Sequence, residues 1–266
     1  MKTIKNLLNL KEHRVLITGA GGGIGRVMAD SLAELGASLI LVDRPGVEIA
    51  CVATDIRDRW SVDTISLECD LESTSSRLEL VDIVISQNKL NCLINNAAFA
   101  GETNLPGWVT NFEGQSLDTW RRAIEVNLTA AFHLSQAFTP LLKKSAGANI
   151  INIASIYGEY GPDWRLYEGT QMGNPAAYAA SKGGLIQLTR WLATTLAPEI
   201  RVNAISPGGV LRNQPSSFVR RYIDRTPMRR MATEDDFRGT VAFLASNLSQ
   251  YITGQIIRVD GGWGNW

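Results

Sequence analysis

Apolar residues along the chain fall into short runs, separated by longer stretches in which they recur every three or four positions. The runs RVLIT (14–18), SLILVD (38–43), DTISLE (63–68), NCLIN (91–95), NIINIAS (149–155), RVNAIS (201–206) and QIIRVD (255–260) read as strands. Between them, RVMADSLAELG (26–36), LDTWRRAIEVNLTAAFHLSQAFTPLLKK (117–144), PAAYAASKGGLIQLTRWLATTLA (175–197) and EDDFRGTVAFLASNL (234–248) carry the helical period. Strands alternating with helices from end to end are the signature of βαβ units winding a parallel sheet. With no linker, repeat or low-complexity tract, residues 1–266 are expected to form one doubly wound α/β domain: a seven-stranded parallel sheet with helices on both faces.

Two polar stretches interrupt the pattern, FAGETNLPGWVTNFEGQ (99–115) and IYGEYGPDWRLYEGTQMGN (156–174). Both follow the carboxyl ends of strands, where open α/β sheets bind their ligands. Charge adds an exclusion. The 26 Lys plus Arg balance the 26 Asp plus Glu, so nothing steers the chain toward nucleic acid or an anionic membrane. A small molecule is the expected partner. Cys51, Cys69 and Cys92 lack metal-like spacing and are expected as reduced, buried thiols. No stretch approaches the length of a membrane span, so a soluble, cytoplasmic protein is expected.

TGAGGGIG (18–25) follows the first strand and opens the first long helix, the context in which a glycine loop brings N–H groups against a pyrophosphate. Gly19 is expected to make the turn, Gly23 to permit close approach and Gly25 to let helix and strand pack; Gly21, Gly22 and Ile24 complete the loop. The spacing is G-x-x-x-G-x-G, and a loop that merely needs positive φ fits it too. The second strand ends in Asp43, at about the 20-residue separation at which an acid meets the adenosine ribose hydroxyls. A carboxylate there repels a 2′-phosphate and favours NAD. Arg44, next in sequence, fits adenine stacking, a 2′-phosphate contact or a solvated loop.

Asn174-Pro175 reads as an N-cap followed by proline at the first helical position. Tyr178 then falls near the first turn and Lys182 one turn below it, on the same face. A free phenol has a pKa of about 10. The ammonium, the helix N-terminus and a nicotinamide cation would each favour the phenolate. The pair alone also fits an ordinary amphipathic helix start. His13 and His133 are too separated for a metal site or hydrolytic triad, and no metal is expected.

In sequence order TGAGGGIG, CDL with Asp70 and Leu71, NNAA (95–98), VNL with Asn127, Ser155, YAASK (178–182) and SPGG (206–209) resemble the classical short-chain dehydrogenase/reductase family, over essentially the whole chain. The resemblance implies a Rossmann-type fold and catalysis by Asn127, Ser155, Tyr178 and Lys182. Tyr178 would be the general acid/base, Lys182 would lower its pKa and hold the nicotinamide ribose, Ser155 would bind the substrate oxygen, and Asn127 would distort its helix and anchor a relay water. Asp70, Leu71, Asn96, Ala97, Ala98, Pro207, Gly208 and Val210 join the cofactor set, with Asn95 bridging strands beneath it. A homotetramer, or failing that a dimer, is implied, with Trp263 and Trp266 as interface candidates.

The chain departs from the family where Arg212 stands in place of a threonine or serine that contacts the nicotinamide carboxamide. Arg212 is left as an anchor for an anionic substrate group or a solvated loop arginine. The lid, residues 210–232, also holds Arg220, Arg221, Arg225, Arg229 and Arg230, a density that suits carboxylate or phosphate. Trp108 and Trp164 in the two inserts are candidates to wall a sugar-like pocket or to form a subunit contact. SIYG, GPDWRLYEGT and NPAAYAASKGGLIQLTR are similar to family members encoded with flagellin-glycan and nonulosonic-acid pathways; sugar-acid dehydrogenases compete. The expected function is NAD-dependent hydride transfer at a secondary alcohol or ketone of a polar, sugar-derived substrate. A redox-neutral sugar-modifying enzyme that retains its cofactor and a non-catalytic dinucleotide sensor are the alternatives.

Overall fold

The computed structural model describes residues 2–100 and 105–266. In chain order the elements are α1 (Ile4–Leu8), β1 (Arg14–Thr18), α2 (Gly23–Glu34), β2 (Ser38–Asp43), α3 (Ile49–Trp60), β3 (Thr64–Glu68), α4 (Thr74–Ser86) and β4 (Cys92–Asn95), then α5 (Leu117–Ile124), α6 (Ala130–Leu142), β5 (Asn149–Ile153), α7 (Ala176–Leu196), β6 (Arg201–Pro207), α8 (Ser216–Arg225), α9 (Arg238–Ala245) and β7 (Ile256–Val259). The strands form one sheet in the order β3-β2-β1-β4-β5-β6-β7. Every pairing is parallel.

Alternation along the strands divides the core into two layers. Val15 and Ile17 of β1 and Leu39 and Leu41 of β2 point to one face, where Met28 and Leu32 of α2, Val52 and Ile56 of α3 and Val241 and Leu244 of α9 cover them. Leu16 and Ile40 point to the other, under Leu80 and Val84 of α4, Leu134 and Phe138 of α6 and Leu192 of α7. The seven-stranded, two-faced Rossmann-like architecture is as the hydrophobic pattern predicted. Its order reverses between β1 and β4, and the carboxyl ends of those two strands open the crevice in which such sheets bind ligands.

Three expectations need correction. Cys69 and Cys92 are buried, but Cys51 is exposed. The buried stripe of α3 is Ile49, Val52, Ala53 and Ile56, and Cys51 falls off it. The apolar stretch 117–144 is not one α-helix, because Glu125–Thr129 form a π turn between α5 and α6. Trp263 does not face outward: it is 1% exposed, stacked on Tyr222 with ring centroids 6.0 Å apart and covered by the Arg225 guanidinium. Trp266 remains exposed. Among the described residues no helix is long and apolar enough to cross a membrane.

Candidate active site

The carboxyl ends of β1, β2, β4, β5 and β6 line a cleft of about 1140 Å³. The glycine loop forms its floor. Gly19 has φ +64°, and a Cβ there would stand 2.8 Å from Ala97 Cα; a Cβ on Gly25 would stand 2.1 Å from the Gly19 carbonyl oxygen. Turn and helix therefore meet at backbone contact, as only glycine permits. Asn96 Nδ2 locks the loop by donating to the carbonyls of Thr18 and Gly19. The first-turn N–H groups of α2 have no intrahelical partner and open on the cleft.

Asp43 sits at the end of β2 where the expected ribose acid should be. Its Oδ2 accepts from Gly21 N–H at 2.8 Å and its Oδ1 from Arg44 N–H at 2.8 Å. These bonds fix the carboxylate on the cleft wall. Arg44, Asp70, Leu71, Ala97, Ala98, Pro207, Gly208 and Val210 line the same cleft. Glycine floor, unpaired N–H groups and fixed acid suit the phosphates and ribose of a dinucleotide, so the residues present fit the cofactor that the sequence pointed to.

At the opposite end stand Ser155, Tyr178 and Lys182. Ser155 lies two residues beyond β5, where its hydroxyl caps the 3-10 turn Ile156–Gly158 by accepting from the Tyr157 amide. Pro175 is itself the N-cap of α7, with extended φ and ψ, and the Asn174 side chain does not cap. Pro175 itself takes the extended conformation of a cap residue, so the helix begins one residue later than expected. Asn174 is instead buried with neither amide atom bonded. Tyr178 still falls in the first turn, and Lys182 Nζ lies 5.8 Å from its ring centroid.

Lys182 is 2% exposed. Its ammonium donates to the Ile153 carbonyl at 2.7 Å, and burial pulls its pKa down to about 8. Burial pushes the Tyr178 phenol up, although the Ser155 hydroxyl beside it pulls the other way. In the protein alone, burial is thus the largest influence on Tyr178, and it disfavours the phenolate.

Asn127 does not line the cleft. It lies in the π turn, where its Oδ1 accepts from Phe99 N–H at 2.6 Å and its Nδ2 donates to Ser181 Oγ at 2.9 Å. Ser181 Oγ in turn donates to the Tyr178 carbonyl. The side chain ties the loop after β4 to the first turn of α7, and the widened turn supplies the distortion expected at that position. Asn95 donates to Asn152 Oδ1 at 2.9 Å, joining β4 to β5 within the core.

The three substrate candidates separate. Trp108 is 2% exposed and packs with Phe99, Ala123, Ala177 and Tyr178, its indole N–H donating to Ala100. It buttresses the Tyr178 end from behind. Trp164 is 58% exposed and packs on Tyr167, outside the cleft lining. Arg212 lines the cleft beside the glycine loop and pairs with Glu234 at 3.2 Å. Most of the lid arginines are held by the protein itself. Arg225 pairs with Asp163, Arg230 binds both oxygens of Asp236, Arg221 donates to Glu168 O and Arg229 to Asp224 O.

Arg122 went unnoticed in the sequence. It lines the cleft, forks onto Glu72 at 2.8 and 3.2 Å and lies over the Phe99 ring. Only its place on the exposed face of α5 hinted at it. Among the described residues no cluster of His, Cys, Asp and Glu could hold a metal.

A family model described as enoyl-(acyl carrier protein) reductase matches residues 19–264. Post-translational flagellin modification protein A of Campylobacter coli is 29% identical over 257 residues, 96% of this chain and 99% of that one. A short-chain dehydrogenase of Leptospira borgpetersenii solved with NAD+ is 33% identical with TM-score 0.83, covering 99% of this chain and 96% of that one. A gluconate 5-dehydrogenase of Beutenbergia cavernae, assigned provisionally and solved with NADP, is 31% identical with TM-score 0.85, covering 98% of this chain and all of that one.

Proposed function

The chain belongs to the short-chain dehydrogenase/reductase family of oxidoreductases acting on alcohol and keto groups, and from that footing we propose that it exchanges hydride between NAD and a secondary alcohol or ketone of a sugar-derived substrate. The observation that carries the reading is the common cleft, in which Ser155, Tyr178 and Lys182 face the glycine loop and Asp43. Bound in it, nicotinamide supplies a hydride acceptor or donor at its C4.

The residues divide the remaining work. Tyr178 takes the hydroxyl proton in oxidation and returns it in reduction. The Ser155 hydroxyl holds the reacting oxygen and stabilises negative charge developing there. Lys182, an ammonium without a carboxylate partner among the described residues, favours the phenolate at the moment of transfer and offers donors to ribose hydroxyls. Asn127 fixes the first turn of α7, so that Tyr178 does not drift. Asp70, Leu71, Asn96, Ala97 and Ala98 are assigned to the adenosine side, and Pro207, Gly208 and Val210 to the nicotinamide side. Residues 210–232 are assigned to the substrate lid of a single domain.

A polar substrate is supported by the polar side chains of Glu72, Arg122 and Gln214 in the cleft lining. A sorbose reductase 29% identical and a solved xylitol dehydrogenase 30% identical support a sugar-derived substrate. The test follows reduced-nicotinamide absorbance across polyols, sugar acids, sugar phosphates and nucleotide-linked amino sugars, with Tyr178→Phe as control. Turnover on one of these classes is expected, and turnover confined to apolar alcohols would refute the sugar reading.

The Asp43 carboxylate carries the choice of NAD. A 2′-phosphate brought against it meets like charge in a partly shielded wall, a penalty of order 1–3 kcal/mol per pair. Asp43→Asn should therefore lower the NAD over NADP preference in kcat/KM by about tenfold or more, with Arg44 then free to meet the 2′-phosphate. An unchanged ratio would remove Asp43 as its determinant. A homotetramer is proposed through α5, α6 and α7, whose Trp120, Phe132 and Trp191 stand 40%, 42% and 56% exposed. Light scattering should report four chains; a monomer would leave those aromatics unexplained.

A further inference from the structure

Gly23 begins α2, and its missing Cβ is the gap over which a pyrophosphate is expected to approach. In the protein alone two side chains already reach into that gap. A Cβ on Gly23 would stand 2.6 Å from Glu234 Oε1, 3.1 Å from Glu234 Cγ and 3.2 Å from an Arg212 Nη. Glu234 and Arg212 are paired with each other at 3.2 Å. A carboxylate thus rests at the N-terminus of a twelve-residue helix whose first N–H groups lack partners, the position that favours an anion.

We propose that this pair is an internal latch on the cofactor site. The Glu234 carboxylate holds the space that the dinucleotide pyrophosphate takes, and Arg212 passes from Glu234 to the pyrophosphate as the cofactor binds. The inference rests on the dinucleotide reading of the cleft and adds two residues to it. It also gives Arg212 a task other than a substrate anion.

The backbones behind the two side chains are firm, which confines the exchange to the side chains. Glu234 opens a 3-10 turn closed by a Thr233–Asp236 capping box, and Phe237 and Val241 just beyond pack into the core with Ala29 and Leu32 of α2. Arg212 follows Val210, which bridges to Ala232, and its own amide donates to Gln214 Oε1 at 2.7 Å. The side chains themselves are 55% (Arg212) and 29% (Glu234) exposed, so both can swing.

Electrostatics favours the exchange in one direction. A pyrophosphate bearing two charges beside Glu234 is repelled, and an Arg212 that trades one carboxylate for two phosphate groups gains a charge-assisted fork. Each dinucleotide that binds must therefore displace a resident competitor. An exposed ion pair of no consequence is the contrary case.

Calorimetric titration of the purified protein with NADH, ADP-ribose and adenosine separates the cases, with thermal melts confirming that each variant folds. Glu234→Gln should tighten NADH and ADP-ribose by about three- to tenfold, and Arg212→Gln should weaken both by about tenfold, 1.4 kcal/mol. Adenosine, without phosphates, should bind all three proteins alike. NADH binding that changes less than twofold in both variants, or shifts matched by adenosine, overturns the latch and leaves the dinucleotide reading standing. No binding of NADH or ADP-ribose to the wild type overturns both.

Discussion

Tyr178→Phe is expected to lose about a thousandfold in kcat, within the range that a positioned general acid or base contributes, with NADH affinity within about threefold of wild type. The phenol does not hold the fold. Its ring packs with Trp108 and Ala177 in a cluster that phenylalanine would fill equally. Its hydroxyl is what faces Ser155, and deleting that oxygen removes the proton path while leaving the glycine loop, Asp43 and Lys182 in place. Stopped-flow turnover and calorimetry on the same preparation make the comparison. Loss of turnover with loss of NADH binding would show a structural tyrosine instead.

Lys182→Met is expected to lower kcat/KM by about a hundredfold or more, because the developing phenolate loses its cation and ribose hydroxyls lose a donor. Its stability carries a separate signature. Lys182 has a folded pKa of about 8, below a lysine's ordinary 10.5, so between those values the unfolded chain binds more protons than the native one. Wild-type stability relative to Lys182→Met should therefore rise as pH increases from 8 toward 10, at up to about 1.4 kcal/mol per unit. Taking the difference between the two proteins removes the contributions of Cys69 and Cys92, whose pKa values burial raises, and making the same comparison in a Tyr178→Phe background removes that of Tyr178. Denaturant titrations at pH 7, 8, 9 and 10 measure it. Parallel curves would mean that the ammonium is not held charged against burial.

The strands were legible nearly to the residue because each is a short apolar run; β4 and β5 are buried throughout, while the edge strands β3 and β7 are only partly covered. The glycine loop, Asp43, Tyr178 and Lys182 were legible because backbone geometry gives their spacing a meaning: a turn after a strand, an acid at a strand end, two side chains one helical turn apart; Ser155 was legible only through the family resemblance. The inserts obeyed no such period. Trp108 and Trp164 lie in connections that follow strand ends, but one turned inward under Tyr178 and the other outward to solvent. The lid arginines looked like an anion trap in sequence because Asp163, which holds Arg225, is distant along the chain. Arg212 looked like a substrate contact because nothing in the order of residues brings Glu234 across Gly23. The burial of Tyr178 was hidden for a related reason: spacing shows the nearby charge and not the desolvation that opposes the phenolate.

The central claim is that hydride passes between nicotinamide C4 and a substrate carbon, with Tyr178 handling the proton. Its most direct measurement is a turnover with NADH carrying deuterium in both C4 positions, on keto forms of the substrate class found by the absorbance screen, with the product analysed by mass spectrometry. The account predicts one deuterium on the new carbinol carbon and one NAD formed per product in the wild type, and neither in Tyr178→Phe. Substrate conversion with no deuterium in the product and no NAD formed would contradict it and identify a redox-neutral reaction at the same site.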